Sequence, residues 1–336
     1  MNTVTVQTTP IKKLTKHLKE GATTITQNDV RFIIQSYYQI QDYRIALAGQ
    51  IRSINQANQT DEAPQHELLD WLFSNMKQLE EEIVKAIDAY TDSLRVGRWL
   101  KEITGIGPIL AGGLLCYLDV EKAPSVSHFY SYAGLNDNNR PWLGSEKARN
   151  LVNEYVSDEV TDEELFALAD ATSRRYDKLL QMCLNEKGKR SKTQLIKQLS
   201  KPPYNIELKK LLWKIGESFV KVSGKDSSLY GRLYKERKHY ETVKNENKEY
   251  ADQAKLKLET TNIGKTTEAY KFYSEGMLPP AHIQARAKRY AEKIFLSHLY
   301  DEMYKDKYGK QPAKAYVLEH LGHVDVIEPE VPGIIV

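Results

Sequence analysis

The sequence predicts an all-α protein. Apolar side chains recur at intervals of three and four residues along much of the chain, whereas strict alternation of apolar and polar residues is scarce. Glycine and proline occur mainly between the periodic runs, where they predict turns. Two long periodic runs come first and glycine-punctuated helices follow. We therefore expect a long N-terminal helical hairpin ahead of a second helical domain.

The composition excludes several classes of protein. The chain has 336 residues, 41% hydrophobic and 28% charged, so it can bury a core and accommodates about two domains. Cys116 and Cys183 are the only cysteines, which excludes a disulfide framework. The N-terminus lacks the apolar run of a signal peptide, and no stretch is long enough to span a membrane. We expect a protein of the bacterial or infected-host cytoplasm without a membrane partner.

Residues 1–95 are predicted to form the helical hairpin. N-capping residues Thr26 to Asp29 precede the first run, and a polar connector containing Pro64 separates the two. The first apolar seam is Val30, Ile33, Tyr37, Ile40, Leu47, Ile51 and Ile54, interrupted by Arg44. The second seam is Leu69, Leu72, Met76, Leu79, Ile83, Ile87 and Tyr90. The seams would pair within one chain, or they would form a homo-oligomer interface between the N-terminal helices of two chains.

Positive charge is concentrated in the second half of the chain. Residues 171–300 carry 28 basic and 14 acidic side chains, a net charge of +14 in a protein of net charge +3. This concentration predicts a surface for a polyanion, DNA first and RNA as the alternative, since charge alone does not separate them. A set of solvated helix faces is the other interpretation. The candidate cations are Lys209, Lys210, Lys214, Arg232, Lys235, Arg237, Lys238, Arg286, Lys288 and Arg289.

The most informative motif is Gly105-Ile106-Gly107, followed by Pro108, between two predicted helices. Glycine adopts positive φ and has no side chain to hold a partner away, so N–H groups at the start of the second helix could meet a phosphate. Ile106 would pack between the helices, and Gly105, Ile106 and Gly107 are the candidate DNA-contact residues of the motif. The pattern predicts a helix-hairpin-helix motif that contacts DNA without reading its sequence, because phosphate carries none. An ordinary corner between two helices is the alternative.

Several segments resemble one family of enzymes. Ile103–Pro108, with Leu114 and Leu115, and His128–Leu135 are similar to the C-terminal domain of the DEDD, bridge-RNA-guided insertion-sequence transposases, and to stand-alone relatives of that domain in phages and mobile elements. Weaker matches lie at Asn205–Leu212, Tyr230–Lys238 and Ala285–Tyr290, so the resemblance covers about residues 95–305 with interruptions. It implies binding to branched DNA, such as junctions, during DNA recombination.

The chain departs from that family where catalysis is concerned. The full enzymes begin with a RuvC-like nuclease domain, whereas residues 1–95 here predict helices. Asp88 and Asp92 share a helix face and Glu80 to Glu82 form a cluster, both of which we expect to be solvated. The family's nucleophilic serine corresponds most closely to Ser200. The segment that follows Ser200 lacks the glycine of the family motif, and the sequence shows no base that would activate the serine. We expect no cofactor; only an active transposase or recombinase using Ser200 would need Mg²⁺.

Two further motifs are candidates of lower weight. The loop containing Asn262, Gly264 and Lys265 looks like a degraded second glycine hairpin that could contact phosphate. Asn262 stands where the first glycine would be, and asparagine tolerates the left-handed backbone conformation that the turn needs. His320 and His323 lack further ligands and are interpreted as a surface turn.

The predicted domains are residues 1–95, a helix-hairpin-helix DNA-binding domain at 96–305 with a polar insertion at about 136–200, and an extended tail at 306–336. The spacing predicts single helices near Glu163–Leu184 and over Asp226–Leu258. A helical assembly protein with an incidental basic face is the remaining interpretation.

Overall fold

The computed structural model of the protein describes residues 13–57, 67–136, 142–313 and 327–333. Within these ranges the chain forms fifteen α-helices and one 3-10 turn, and it contains no β-strand. An antiparallel bridge between Leu184 and Arg190 is the one isolated β-bridge in these ranges. The predicted all-α class is confirmed. None of the helices that the structure describes is both long enough and apolar enough to cross a membrane.

The helices belong to two compact units. The first unit combines residues 1–122 with 214–336, and the second consists of residues 123–213. This division differs from the predicted ranges, because helices from both ends of the chain pack together in the first unit. The boundary between the units falls within one helix, after Trp213.

The N-terminal part of the first unit is helical over most of its described residues. Its elements are α1 (Lys16–Ala22), α2 (Gln27–Ala57), α3 (Glu67–Ser93), α4 (Arg95–Glu102), α5 (Pro108–Tyr117) and a 3-10 turn (Val120–Lys122). Helix α5 packs against α2 and α3, and eight of its ten residues are buried. Gly112 permits this contact, since a Cβ there would lie 2.6 Å from Ile87 and 3.4 Å from Ile34.

Helices α2 and α3 run antiparallel. Ile34 and Ile87 meet at Gly112, and further along α2 Arg44 pairs with Glu80 of α3. The buried apolar residues are Val30, Ile34, Leu47, Ile87 and Tyr90. The seam predicted for α2 is therefore only partly right: Ile34 is buried instead of Ile33, because α2 faces both α3 and α5, and Ile54 is 50% exposed.

Glu80 and Glu82 are buried, which corrects the expectation that they are solvated. Glu80 is 7% exposed and accepts hydrogen bonds from Arg44 Nε and Nη2 at 2.5 and 3.1 Å. Glu82 is 3% exposed and accepts from the Leu14 N–H at 2.8 Å and from Lys85 at 2.7 Å. Arg44 interrupts the apolar seam because α3 supplies a buried anion opposite it, and a buried charge requires such a partner.

The C-terminal part of the first unit surrounds an aromatic core. Its elements are the second half of α11 (Ile206–Val222), α12 (Leu229–Glu246), α13 (Ala251–Thr260), α14 (Glu268–Ser274) and α15 (Pro280–Tyr308). Helices α12 and α15 pack along each other. The rings of Phe219, Tyr230 and Phe295 have their centroids 5.0, 5.3 and 5.5 Å apart, at distances typical of favourable aromatic pairs.

The predicted helix Asp226–Leu258 is interrupted, because α12 ends at Glu246 and α13 begins at Ala251. Between them Lys248 adopts a left-handed φ of 59°. After this turn the Tyr250 hydroxyl donates a 2.5 Å hydrogen bond to Glu241, and the Tyr250 ring joins a small apolar core of α13 and α14. These tertiary contacts override the continuous helical periodicity of the sequence.

The second unit has an apolar core of its own. Its elements are α6 (Val126–Tyr132), α7 (Gly144–Tyr155), α8 (Asp162–Thr172), α9 (Tyr176–Cys183), α10 (Lys192–Leu199) and the first half of α11. Fully buried core residues are Ala148, Val152, Leu165, Leu168, Leu179, Cys183 and Leu195. The predicted helix Glu163–Leu184 is broken at Ser173, whose φ is 49°. The described part of the predicted insertion therefore contains four helices, α7 to α10, around a shared apolar core.

Candidate nucleic-acid interface

The Gly105-Ile106-Gly107 turn joins α4 to α5 in the first unit. The Ile106 N–H donates to the Ile103 carbonyl at 3.0 Å, and Gly105 has a φ of +100°. A side chain at Gly105 would be strained, and its Cβ would lie 3.0 Å from Ser218 Oγ. The same Ser218 hydroxyl donates a 2.6 Å hydrogen bond to the Gly105 carbonyl. The turn is thus held in place by α11.

The start of α5 combines main-chain donors with open space. Gly107 is the N-cap residue and Pro108 follows it. The N–H groups in the first turn of a helix have no partner within the helix, and no side chain of the described residues caps this one. A Cβ placed on Gly107 would meet no described atom within 4 Å. An anion could therefore approach these donors, where the helix dipole attracts negative charge.

Ile106 belongs to the core rather than to the surface. Its side chain is 4% exposed, which agrees with packing between the two helices. Its N–H already donates to Ile103, so it is not available to a phosphate. The assignment of Ile106 as a DNA contact is therefore corrected. Any phosphate contact at this turn falls to the N–H groups of Gly107, Ile109 and Leu110, since Pro108 has no N–H.

The loop between α11 and α12 lies beside the turn. Thr104 Oγ1 is 3.3 Å from Ser227 Oγ, and the Thr104 N–H donates to the Glu330 carboxylate at 2.7 Å. Lys225, two residues before Ser227 in the chain, is exposed. No signal in the sequence singles out Lys225, because its place beside the turn depends on the tertiary contact of α11 and its loop with the residues that precede α5.

Arg237 and Arg286 are bound to a buried carboxylate. Glu241 of α12 is 1% exposed; its Oε1 accepts from Arg237 Nε at 2.8 Å and its Oε2 from Arg286 Nε at 2.7 Å. Burial alone would raise the pKa of Glu241, but hydrogen bonds from Tyr250, Arg286 and Arg237 outweigh burial and lower it. The two arginines tie α12 to α15, so each already holds a carboxylate of the fold, which counts against their predicted role as DNA ligands.

Lys288 also has a structural role. It is 9% exposed, and its Nζ forms an ion pair with Glu217 of α11. Its assignment to DNA is corrected for that reason. One turn later, Glu292 lies against Gly216, where a Cβ would overlap the carboxylate. Burial raises the pKa of Glu292 to about 7, although Lys288 and Arg289 favour the charged form.

Other predicted cations of the α12–α15 pair remain exposed. They are Arg232, Lys235, Lys238 and Arg289. Arg232 makes a long ion pair, at 3.9 Å, with the exposed Glu236, and such a pair holds the side chain weakly. The pKa of His282 is lowered first by burial and then by nearby positive charges that include Arg289 and the exposed Lys257. Arg289 of α15 and Lys257 of α13 are therefore exposed cations near His282.

The lysines of α11 are Lys209 and Lys210 in the second unit and Lys214 in the first. Lys209 Nζ lies 4.0 Å from the centre of the Tyr204 ring, and Lys210 pairs with Glu207 at 3.0 Å. Lys214 Nζ lies 4.3 Å from the centre of the Tyr38 ring. Contacts of these kinds are weak at a surface, so the three lysines stay candidates for phosphate contact.

The second predicted glycine hairpin has a different geometry. Neither Asn262 nor Gly264 adopts a positive φ. Thr267 caps α14, its hydroxyl accepting from the Tyr270 N–H at 3.2 Å, so a side chain occupies a donor that a phosphate would need. Gly264 and Lys265 are exposed residues of a short loop. The prediction of a second glycine hairpin at these residues is therefore wrong.

Ser200, the candidate nucleophile, lies in the second unit at the end of α10. Its hydroxyl donates to the Ile196 carbonyl at 2.7 Å, and its own carbonyl accepts from the Trp142 indole N–H at 2.8 Å. A nucleophilic serine requires a base that removes its proton, whereas this hydroxyl is paired with a main-chain carbonyl. The geometry gives Ser200 a role in ending α10.

The predicted carboxylate pair Asp88 and Asp92 forms ion pairs with Lys101. In the part of the chain that the structure describes, no three His, Cys, Asp or Glu side chains form a group that could hold a metal ion. His320 and His323 lie outside the described residues.

Comparison with known proteins identifies no relative: the chain matches no protein-family model, no curated protein and no solved structure. The resemblance to the transposase C-terminal domain therefore rests on the motifs quoted above, and the function that it implies remains a prediction.

Proposed function

We propose that the protein binds the phosphate backbone of DNA through the α4–α5 turn. The start of α5 supports this proposal, because Gly107 leaves open space beside main-chain donors that no described side chain caps. Those are the requirements of a phosphate at a helix N-terminus. Since phosphate carries no sequence information, binding is expected to be largely independent of base sequence.

Exposed cations of the first unit would extend the contact. Lys225 follows α11, Arg289 lies on α15 and Lys257 lies on α13, and all three side chains are exposed. Each phosphate neutralised by such a residue releases counterions, so affinity should fall steeply as salt rises. The family resemblance favours branched DNA over plain duplex, and RNA remains the alternative polyanion.

A matched pair of substitutions at Gly107 tests the proposal. Asp and Asn are both preferred N-cap residues, and both fit the backbone of Gly107, so both variants should fold with a capped α5. Asp adds a negative charge where a phosphate would sit and Asn does not. We expect Gly107→Asp to lose affinity at least about tenfold and Gly107→Asn to lose less. Fluorescence anisotropy with duplex, single-stranded and four-way-junction DNA measures both.

Two results would contradict the proposal. One is equal affinity of Gly107→Asp and the wild type for every DNA form, and the other is no binding at low salt by any form of the protein that is tested. A parallel incubation with Mg²⁺ monitors strand cleavage. Cleavage that disappears in Ser200→Ala would instead support an active recombinase.

An apolar stripe on α2 favours a second candidate function, assembly with another copy of the chain. Phe32 and Tyr43 are each 71% exposed and Ile54 is 50% exposed. Their spacing of eleven residues, three helical turns, places them on one face of α2. A Phe32→Ser/Tyr43→Ser double variant should lower the molar mass measured by light scattering if the stripe joins two copies. An unchanged monomeric mass in both proteins would contradict assembly.

A further inference from the structure

The segment Ile327–Gly333, here called the strap, is fastened to the first unit by its main chain. The Ile327 carbonyl accepts a 2.8 Å hydrogen bond from His298 Nε2 of α15. The Val331 carbonyl accepts from the Trp99 indole N–H of α4 at 3.4 Å. Gly333 lies against Glu302, where a Cβ would be 2.6 Å from the carboxylate. The strap therefore connects α15 with the helix that leads into the glycine turn.

Glu330, near the middle of the strap, places its carboxylate on two main-chain donors beside that turn. One oxygen accepts from the Thr104 N–H at 2.7 Å and the other from the Leu229 N–H at 2.9 Å. Thr104 directly precedes Gly105, and Leu229 is the first residue of α12, an eighteen-residue helix. The carboxylate thus occupies a helix N-terminus, where the dipole stabilises an anion.

A phosphodiester group could make the same two bonds. Like a carboxylate, it presents two charged oxygens that accept hydrogen bonds from main-chain N–H groups. DNA on the turn would also meet the negative charge of Glu330 and of Glu328, which is exposed in the same strap. Strap and DNA backbone would therefore compete for one surface.

We infer that the strap is an autoinhibitory element whose Glu330 carboxylate competes with nucleic-acid phosphate for the donors beside the Gly105–Gly107 turn. This inference rests on the proposed DNA binding. When one segment and one ligand exclude each other, the apparent affinity for the ligand falls by the fraction of molecules in which the segment is released. The same linkage requires DNA binding to favour release of the strap.

The strap offers a matched control for its own test. Glu330→Gln keeps the shape of the side chain but removes the charge and one of the two acceptors. Glu328→Gln removes the same charge from an exposed position two residues away, without a main-chain contact to the turn. We expect Glu330→Gln to tighten binding of a short labelled duplex about tenfold, and Glu328→Gln about twofold or less.

Amide hydrogen exchange provides a second readout that does not require DNA. If Glu330 occupies the donors, the Thr104 and Leu229 amides should exchange faster in Glu330→Gln than in the wild type and Glu328→Gln. A chain that ends at residue 326 gives the same comparison if Glu330→Gln folds poorly.

Three outcomes decide the inference. Faster exchange with a larger affinity gain in Glu330→Gln than in Glu328→Gln supports it. Equal affinity changes in the two variants, or no change in either, overturn it and leave the proposed DNA binding intact. Absence of binding by every form at low salt, including the shortened chain, overturns both proposals.

Discussion

The α4–α5 turn and the α12–α15 helix pair differ in what already occupies their donors, although the sequence predicts phosphate contact at both. At the start of α5 the donors are main-chain N–H groups beside open space. On the helix pair they are charged side chains, of which Arg237, Arg286 and Lys288 already hold carboxylates of the fold. A basic residue counts toward a DNA-binding surface only where folding has not placed an anion against it.

The largest expected effect tests the structural role of the helix pair. Glu241→Gln should lower the free energy of unfolding by about 3–5 kcal/mol, because it leaves Arg237 and Arg286 without their buried anion. Urea unfolding measures the change. Glu236→Gln is the control, since Glu236 is exposed on the same helix and should alter stability by less than about 0.5 kcal/mol. Equal stability of the two variants would mean that the buried pairs do not hold the helices together.

The next largest expected effect is the dependence of stability on pH that the buried Glu292 carboxyl introduces. The pKa of its carboxyl is raised to about 7 from the usual 4.5, so between these values the unfolded chain ionises while the folded protein keeps its proton. Stability should therefore fall as pH rises through this window, by roughly 2–3 kcal/mol from this group.

Glu292→Gln should remove that part of the pH dependence and be more stable than the wild type at pH 8. Urea unfolding at pH 5 and pH 8 measures it, with Glu275→Gln as the exposed control. If both variants lose as much stability between pH 5 and pH 8 as the wild type, Glu292 is not the source of the pH dependence.

A smaller effect on stability is expected from alanine substitutions at Gly105 and Gly264, one in each glycine loop. Gly105→Ala should destabilise the protein by about 1–3 kcal/mol, because a φ of +100° strains a residue with a Cβ and Ser218 is close. Gly264→Ala should change stability by less than about 0.5 kcal/mol, since its φ is ordinary and its Cβ would make a 3.4 Å contact. Thermal or urea unfolding compares them, and a larger loss for Gly264→Ala would reverse the distinction between the two turns.

The smallest expected effect is on DNA affinity, and it distinguishes Arg289, an exposed cation of α15, from Lys265, a cation in the second glycine loop. Arg289→Gln should weaken DNA binding about two- to fivefold and reduce the dependence of affinity on salt by about one phosphate contact. Lys265→Gln should leave both unchanged, because the second glycine loop lacks a phosphate geometry. Anisotropy titrations at several salt concentrations measure both slopes. If the two variants show the same dependence of affinity on salt, Arg289 and Lys265 do not differ in their contact with phosphate.

Local patterns in the sequence determined the helical elements. The three- and four-residue spacing predicted the all-α class, and Gly105 stands in a turn that needs positive φ. These features depend on neighbours within a few residues, because helix caps, glycine turns and helical faces are short-range properties.

Tertiary structure alone decided which charges are available. Arg286 meets a carboxylate 45 residues away, and Thr104 meets Glu330, 226 residues away. No periodicity encodes such partners, since an ion pair requires only that the fold bring two side chains together. The sequence therefore determined most of the helices and the glycine turn. Packing over long chain distances decided which cations are neutralised, where Asp226–Leu258 breaks and which main-chain donors beside the turn Glu330 occupies.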